Sequence, residues 1–182
     1  LINVIGSLSG GTVTLIKYAG SETGSGTFAI GTLPNRTSAT LYDLGTGQVD
    51  LALIVNALKW SGSGDGTWTT AVQSPKNWLD GVNPADYTAG DPVRFDDTAT
   101  GTTSVAIPAD VSPAGITVSN TSKSYTFTGI AGITGTAGLA KSGTNTLYIS
   151  NSGTNSYSGG TTIGAGGTIE INGPSSSTVN VQ

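Results

Sequence analysis

The chain contains no cysteine, no methionine and no histidine. Without cysteine there is no disulfide framework and no thiolate metal site. Without histidine, a Ser-His-Asp or Cys-His catalytic group, a His-ligated zinc and an imidazole proton shuttle are all excluded. Charge is scarce too: Asp, Glu, Lys and Arg make up only 10% of 182 residues, and the net charge is −4. The seven basic residues are scattered, so no patch exists to neutralise phosphates, and nucleic-acid binding is not expected. Apolar runs are short. The longest, "LALIV" at 51–55, has the length of a strand rather than of a membrane helix, so no membrane partner is expected.

What remains is Gly, Thr, Ser and Asn, with single apolar residues set among them at regular intervals. Glycine alone accounts for 28 positions. A disordered chain normally carries more charge or proline than this one does, so an ordered all-β chain is expected. Helix formers are sparse, and no window shows an apolar stripe of helical period.

The apolar residues keep phase over a period of about 22. Val105, Phe127, Ile149 and Ile171 step by 22 residues, and two positions earlier stand Thr103, Tyr125, Leu147 and Ile169. Tyr157 steps to Val179 in the same way. Between them lie short alternating segments, "ITV" at 116–118, "GI" at 129–130 and "TTI" at 161–163, separated by Gly, Asn and Ser-Gly turns. Several two- to four-residue strands per repeat of this length predict a right-handed parallel β-helix, a solenoid of about 22-residue coils. The whole chain, at one rung per roughly 4.8 Å, gives roughly eight coils and about 40 Å of rod. An antiparallel β-sandwich is the alternative, but a sandwich has no reason to hold a constant phase.

One domain covering 1–182 is expected, with first coils over 1–59, a Trp- and Asp-rich, loop-rich part over 60–100, and regular coils over 101–182. The chain opens on "LINVIG" and closes on "STVNVQ", both strand-like; a fragment of a longer protein is the expectation.

The stretch "GLAKSGTNTLYIS", "TNSYSGGTTI", "GAGGTIEIN" (138–172) resembles the autotransporter passenger-associated repeat. Asn145, where a Gly is common, and the extra Gly in "AGGT" are departures. The "W…DGTW…NW" block from Trp60 to Trp78 is similar to segments of large secreted bacterial proteins. The resemblance implies a right-handed parallel β-helix, extracellular exposure and a larger parent; it assigns no activity.

The richest candidate site is "WSGSGDGTWTTAVQSPKNWLDG" (60–81), which holds all three tryptophans. Aromatic faces stack on the C–H face of sugar rings, and amide or carboxylate groups bind the hydroxyls. Trp60, Trp68, Trp78 and Tyr87, with Asn77 and Asp80, are therefore the expected carbohydrate-binding set; the competing reading makes the rings a structural staple in a thin core. Asp86, Asp91, Asp96 and Asp97 cluster in "ADYTAGDPVRFDD", but adjacent Asp96 and Asp97 on a strand face opposite ways, which suits paired-carboxylate catalysis badly. "GSGDGT" (62–67) resembles one copy of a calcium-binding nonapeptide; a tight turn at Asp65-Gly66 explains a single copy better, so no cofactor is expected and calcium is the weaker alternative. Asn35-Arg36-Thr37 forms a glycosylation triplet and is read as a turn.

No catalytic set emerges, and an enzyme is not expected. The expectation is a monomeric, secreted, carbohydrate-binding module for a neutral plant polysaccharide of the xylan type, carried by a polysaccharide-degrading enzyme. In fold and composition it is similar to the β-helical modules of carbohydrate-binding module family 89. The alternative is a structural passenger or adhesin segment of an autotransporter-type surface protein.

Overall fold

A computed structural model describes residues 10–20, 27–43, 47–174 and 179–181. Every regular element in it is a β-strand. The "LINVIG" strand expected at the start lies outside the described residues.

The regular part is a parallel β-solenoid of about four turns with a coil spacing of about 22 residues. One sheet comprises β8 (Ser104–Ala106), β10 (Tyr125–Thr128), β12 (Thr146–Ile149) and β14 (Thr168–Ile171), stacked in that order. Its pairing is in register: Val105 lies opposite Phe127, Phe127 opposite Ile149, and Ile149 opposite Ile171. Tyr125, Leu147 and Ile169 form the next file. The 22-residue phase of the sequence is thus the rung spacing of this sheet.

The second sheet runs through β7 (Pro92–Asp96), β9 (Gly115–Ser119), β11 (Leu139–Ser142), β13 (Thr161–Ile163) and β15 (Val179–Val181). Its files are Val93–Ile116–Leu139–Thr161 and Phe95–Val118–Lys141–Ile163. Strand alternation puts these residues inward and their neighbours outward. The burial pattern of β11, buried-exposed-buried-exposed, repeats this at single-residue resolution. Val179 pairs with Thr161, so the last step is shorter than the rest, and Tyr157 and Val179 do not share a rung. "GI" at 129–130 is a turn, with Gly129 at φ 104.

Glycine holds the corners where coils touch. A Cβ on Gly132 would stand 2.0 Å from the Thr154 carbonyl oxygen one coil away, and one on Gly143 would stand 2.2 Å from that of Asn120. Buried Asn151 and Asn155 sit at the corners as well. Asn151 and Asn155 exchange side-chain hydrogen bonds of 3.1 and 3.0 Å, and Asn155 Oδ1 accepts from Ile133 N of the preceding coil. Asp97 similarly closes the neighbouring coil, accepting from the backbone N–H groups of Thr121, Ser122 and Lys123. These bonds, Thr121 first, hold its carboxyl below the usual carboxylate range.

The first and middle thirds differ from the coils expected there. β1 (Gly11–Lys17), β2 (Thr37–Asp43) and β3 (Gln48–Val55) form an antiparallel sheet in the order β1-β3-β2. The residues of "VTLIK" and "DLALI" alternate well enough for either sheet type, and the 22-residue phase does not extend to them. β4 (Leu58–Trp60) joins the solenoid in parallel with β7, while β5 (Trp78–Asp80) and β6 (Asn83–Ala85) extend its edge as antiparallel strands. This is why about four turns form where a uniform repeat predicts eight.

Phe127 sits in the middle of an inward file and is fully buried. Phe127→Ala is expected to cost about 3–5 kcal/mol in chemical denaturation. Because Asp97 titrates lower in the folded chain, its contribution is present above the unfolded pKa and is lost as pH falls through the folded value. Stability is expected to be flat near neutrality and to fall below about pH 4; Asp97→Asn makes that fall shallower, measured by urea midpoints against pH.

Candidate functional site

The residues expected to bind carbohydrate come together in space, but they face inward. Trp60, Trp68, Trp78 and Tyr87 all have 0% exposure. Trp60 meets Trp78 edge-on at 4.9 Å between ring centroids, and Trp68 meets Trp78 and Tyr87, each at 5.6 Å. Phe95 packs against all three tryptophans, and Trp68 reaches Phe127 at 5.9 Å. The rings plug the first end of the solenoid and merge with its inward files. Their faces are covered by one another, so none is available to stack on a sugar. The structural-staple reading of the tryptophans is the one this packing fits.

The sequence contains the cause. Three indoles fall within 19 positions, and all three are buried against one another and Phe95. β5, which opens on Trp78, and β6 extend the sheet beside β4 at this end. Trp60 Nε1 donates to the Thr102 carbonyl at 2.8 Å, whereas Trp68 Nε1 and Trp78 Nε1 are buried without a hydrogen-bond partner among the described residues. The last two therefore contribute packing, against the cost of an unpaired donor.

Asn77 is also fully buried, and it organises the 61–67 loop. Its Oδ1 accepts from Gly64 N and Gly66 N, and its Nδ2 donates to Asp65 Oδ1 at 2.8 Å and to the Thr67 carbonyl at 3.0 Å. Asp65 Oδ1 also accepts from Thr67 N, the Thr67 hydroxyl and Gln73 Nε2. The bond from Thr67 N leads the causes that hold the Asp65 carboxyl below the usual range. "GSGDGT" is thus a hydrogen-bonded turn held from beneath by Asn77. Among the described residues no group of three or more Asp and Glu gathers as a metal site would require.

Asp80 alone of the expected set reaches the surface, with its side chain 51% exposed, and it pairs with Arg36 at 2.5 Å. Arg36 also pairs with buried Asp91 at 3.1 Å. Arg36 lies in the Asn35-Arg36 turn, with φ 54, and Asn35 Nδ2 donates to the Ala89 carbonyl. The glycosylation triplet is therefore a turn that latches the antiparallel sheet to the solenoid. The other carboxylates are likewise engaged locally. Asp86 pairs with Lys76 at 2.5 Å, which holds it below the usual range, and Asp96 pairs with Arg94 at 3.0 Å.

A surface feature that sequence reading missed lies across the longer sheet. It is a groove of about 300 Å³ between the Val55–Ala57 linker and the rungs of β7, β9, β11 and β13. Pro92, Gly115, Gly138 and Gly160 line it at equivalent positions just ahead of, or opening, each strand. Beside them Thr117, Ala140 and Thr162 form an outward file in register. No ionisable side chain lines it. The signal was present as the repeated Gly before each strand, "AGITV", "GLAKS" and "GTTI", but the linker that makes the second wall is not part of the repeat. Asp80 borders a separate groove of about 450 Å³, with Lys59, Arg94 and Asp96.

Trp68→Ala is expected to cost about 3–5 kcal/mol of folding stability, and Trp60→Phe to cost about 1 kcal/mol more than Trp78→Phe, through the lost bond to Thr102. Asp80→Asn changes stability by less than about 1 kcal/mol. Denaturant titrations of the four variants read this order. No protein-family model, no curated protein and no solved structure matches the chain.

Proposed function

We propose that the chain is a non-catalytic scaffold: a β-solenoid segment of an extracellular protein, of the kind that a passenger or adhesin uses to hold other parts apart. One observation carries this reading. All three tryptophans are spent on closing the solenoid core, and none is at the surface. Support comes also from Asp65, Asp86, Asp91 and Asp96, whose carboxylates are engaged in turns and ion pairs. The resemblance of 138–172 to autotransporter passenger repeats points the same way.

A second reading, a carbohydrate-binding module for a neutral plant polysaccharide, is favoured by the uncharged groove along the sheet. It no longer draws on the tryptophans.

Incubation with a panel of soluble plant polysaccharides is expected to release no reducing ends. Limited proteolysis of the full chain is expected to leave residues 58–171, the stacked rungs with their plug, as the resistant part. Released sugar ends, or early cleavage within the rungs, counts against a rigid non-catalytic scaffold.

A further inference from the structure

We infer that the groove over β7, β9, β11 and β13 is a binding track for an extended, uncharged, hydroxyl-rich chain, a β-1,4-linked neutral glycan, lying along the solenoid axis. This rests on the second reading above and gives it a site.

The direction comes from the lining. Pro92, Gly115, Gly138 and Gly160 belong to four successive rungs, so the groove crosses the strands and spans three steps, roughly 14 Å at the rung spacing. That step is close to the length of one ring in an extended β-1,4-linked glycan, so the groove offers the same contacts once per sugar over about three rings. A peptide added as a β-strand is a poor fit. It needs a free edge running along the strands, and here each of β7, β9, β11 and β13 has a strand on both sides.

The ligand class follows from the chemistry of the walls. No charged side chain lines the groove itself; the nearest, Arg94, stands one rung beyond Thr117 in the same file and is paired with Asp96. Thr117 is exposed, Thr162 is half-buried, and both hydroxyls lack a hydrogen-bond partner among the described residues. They stand two rungs apart in one file, with the methyl of Ala140 between them. Two free hydroxyls flanking an apolar step match a sugar chain that alternates hydroxyl edges with C–H faces. Gly115 leaves its part of the floor open: a Cβ there would meet nothing within 4 Å, and its φ is not in the left-handed region.

That last fact supplies the test. Gly115→Leu adds a side chain to the groove at a position where its Cβ has open space, and Thr117→Val with Thr162→Val removes both hydroxyls while keeping β-branched residues in their strands. Both variants are expected to keep the wild-type circular dichroism spectrum and thermal midpoint. By affinity electrophoresis and calorimetry, the full chain is expected to bind arabinoxylan or hydroxyethylcellulose. Each variant is expected to bind roughly tenfold or more weakly, with no dependence on salt. Wild-type binding that both folded variants retain overturns the groove as the track while leaving the glycan reading standing. Absence of binding to either neutral glycan overturns the glycan reading itself. Binding to polygalacturonate alone, lost with added salt, overturns the uncharged ligand.

Discussion

The structure depends on register between neighbouring rungs. A single coil has a few inward side chains and cannot exclude water around them. Each becomes buried only when the equivalent side chains of the coils on either side lie above and below it. Backbone hydrogen bonds between parallel rungs set the spacing, and the inward files set which residues meet. Phe127 illustrates both. Its backbone pairs with Val105 and Ile149, and its ring continues the aromatic plug into the aliphatic column. A slip by one residue would turn every inward side chain out to water. The corners add a second constraint: Gly132 and Gly143 approach the adjacent coil too closely for any side chain, which locks the turns to the same register as the strands.

Lys141 shows how strongly that register dominates. It occupies an inward position between Val118 and Ile163 and is 1% exposed. Its aliphatic stem fills the file as an apolar residue would. The ammonium bends to the turn and donates to the carbonyls of Ser142 and Gly143 at 2.7 and 2.8 Å. Burial pulls its pKa below the ordinary lysine value, with Asp97 acting in the opposite sense. A cation is tolerated in the core because corner carbonyls, left over where the strand ends, are within its reach.

The solenoid was legible in the sequence where one coil repeats the next. The positions 105, 127, 149 and 171 stack as their spacing indicated, because period and rung are the same physical quantity. The N-terminal third was not legible in the same way. Strands such as "TSATLYD" and "QVDLALIV" alternate as antiparallel strands do, and alternation alone does not state the direction of the partner. The inward orientation of Trp60, Trp68, Trp78, Tyr87 and Asn77 was not legible for a related reason. Composition identifies a cluster of Trp, Tyr, Asn and Asp, but whether an indole faces a partner ring or water depends on how much volume the coil must fill. Here three indoles were needed to close one end. The groove was hidden because one wall comes from the repeat and the other from the linker at 55–57.

The two ends of the described solenoid are built differently. At the first, Trp60, Trp68, Trp78 and Tyr87 are fully buried; the three indoles touch Phe95, and Trp68 also touches Phe127. At the other, Ile171 is 43% exposed, and Ile169 is only half-buried. In a stack where each coil interacts with its neighbours alone, local stability follows local contact. Rings bury more area than an aliphatic side chain and fix each other's orientation edge to face, so the rungs next to the plug carry the largest share of the packing. The antiparallel sheet is tied to this same end, through Arg36 bridging Asp80 and Asp91. The groove also begins there, between the linker and β7. The linker wall and the plug thus lie at the same end of the stack, joined through β4, whose Leu58 and Trp60 are both buried.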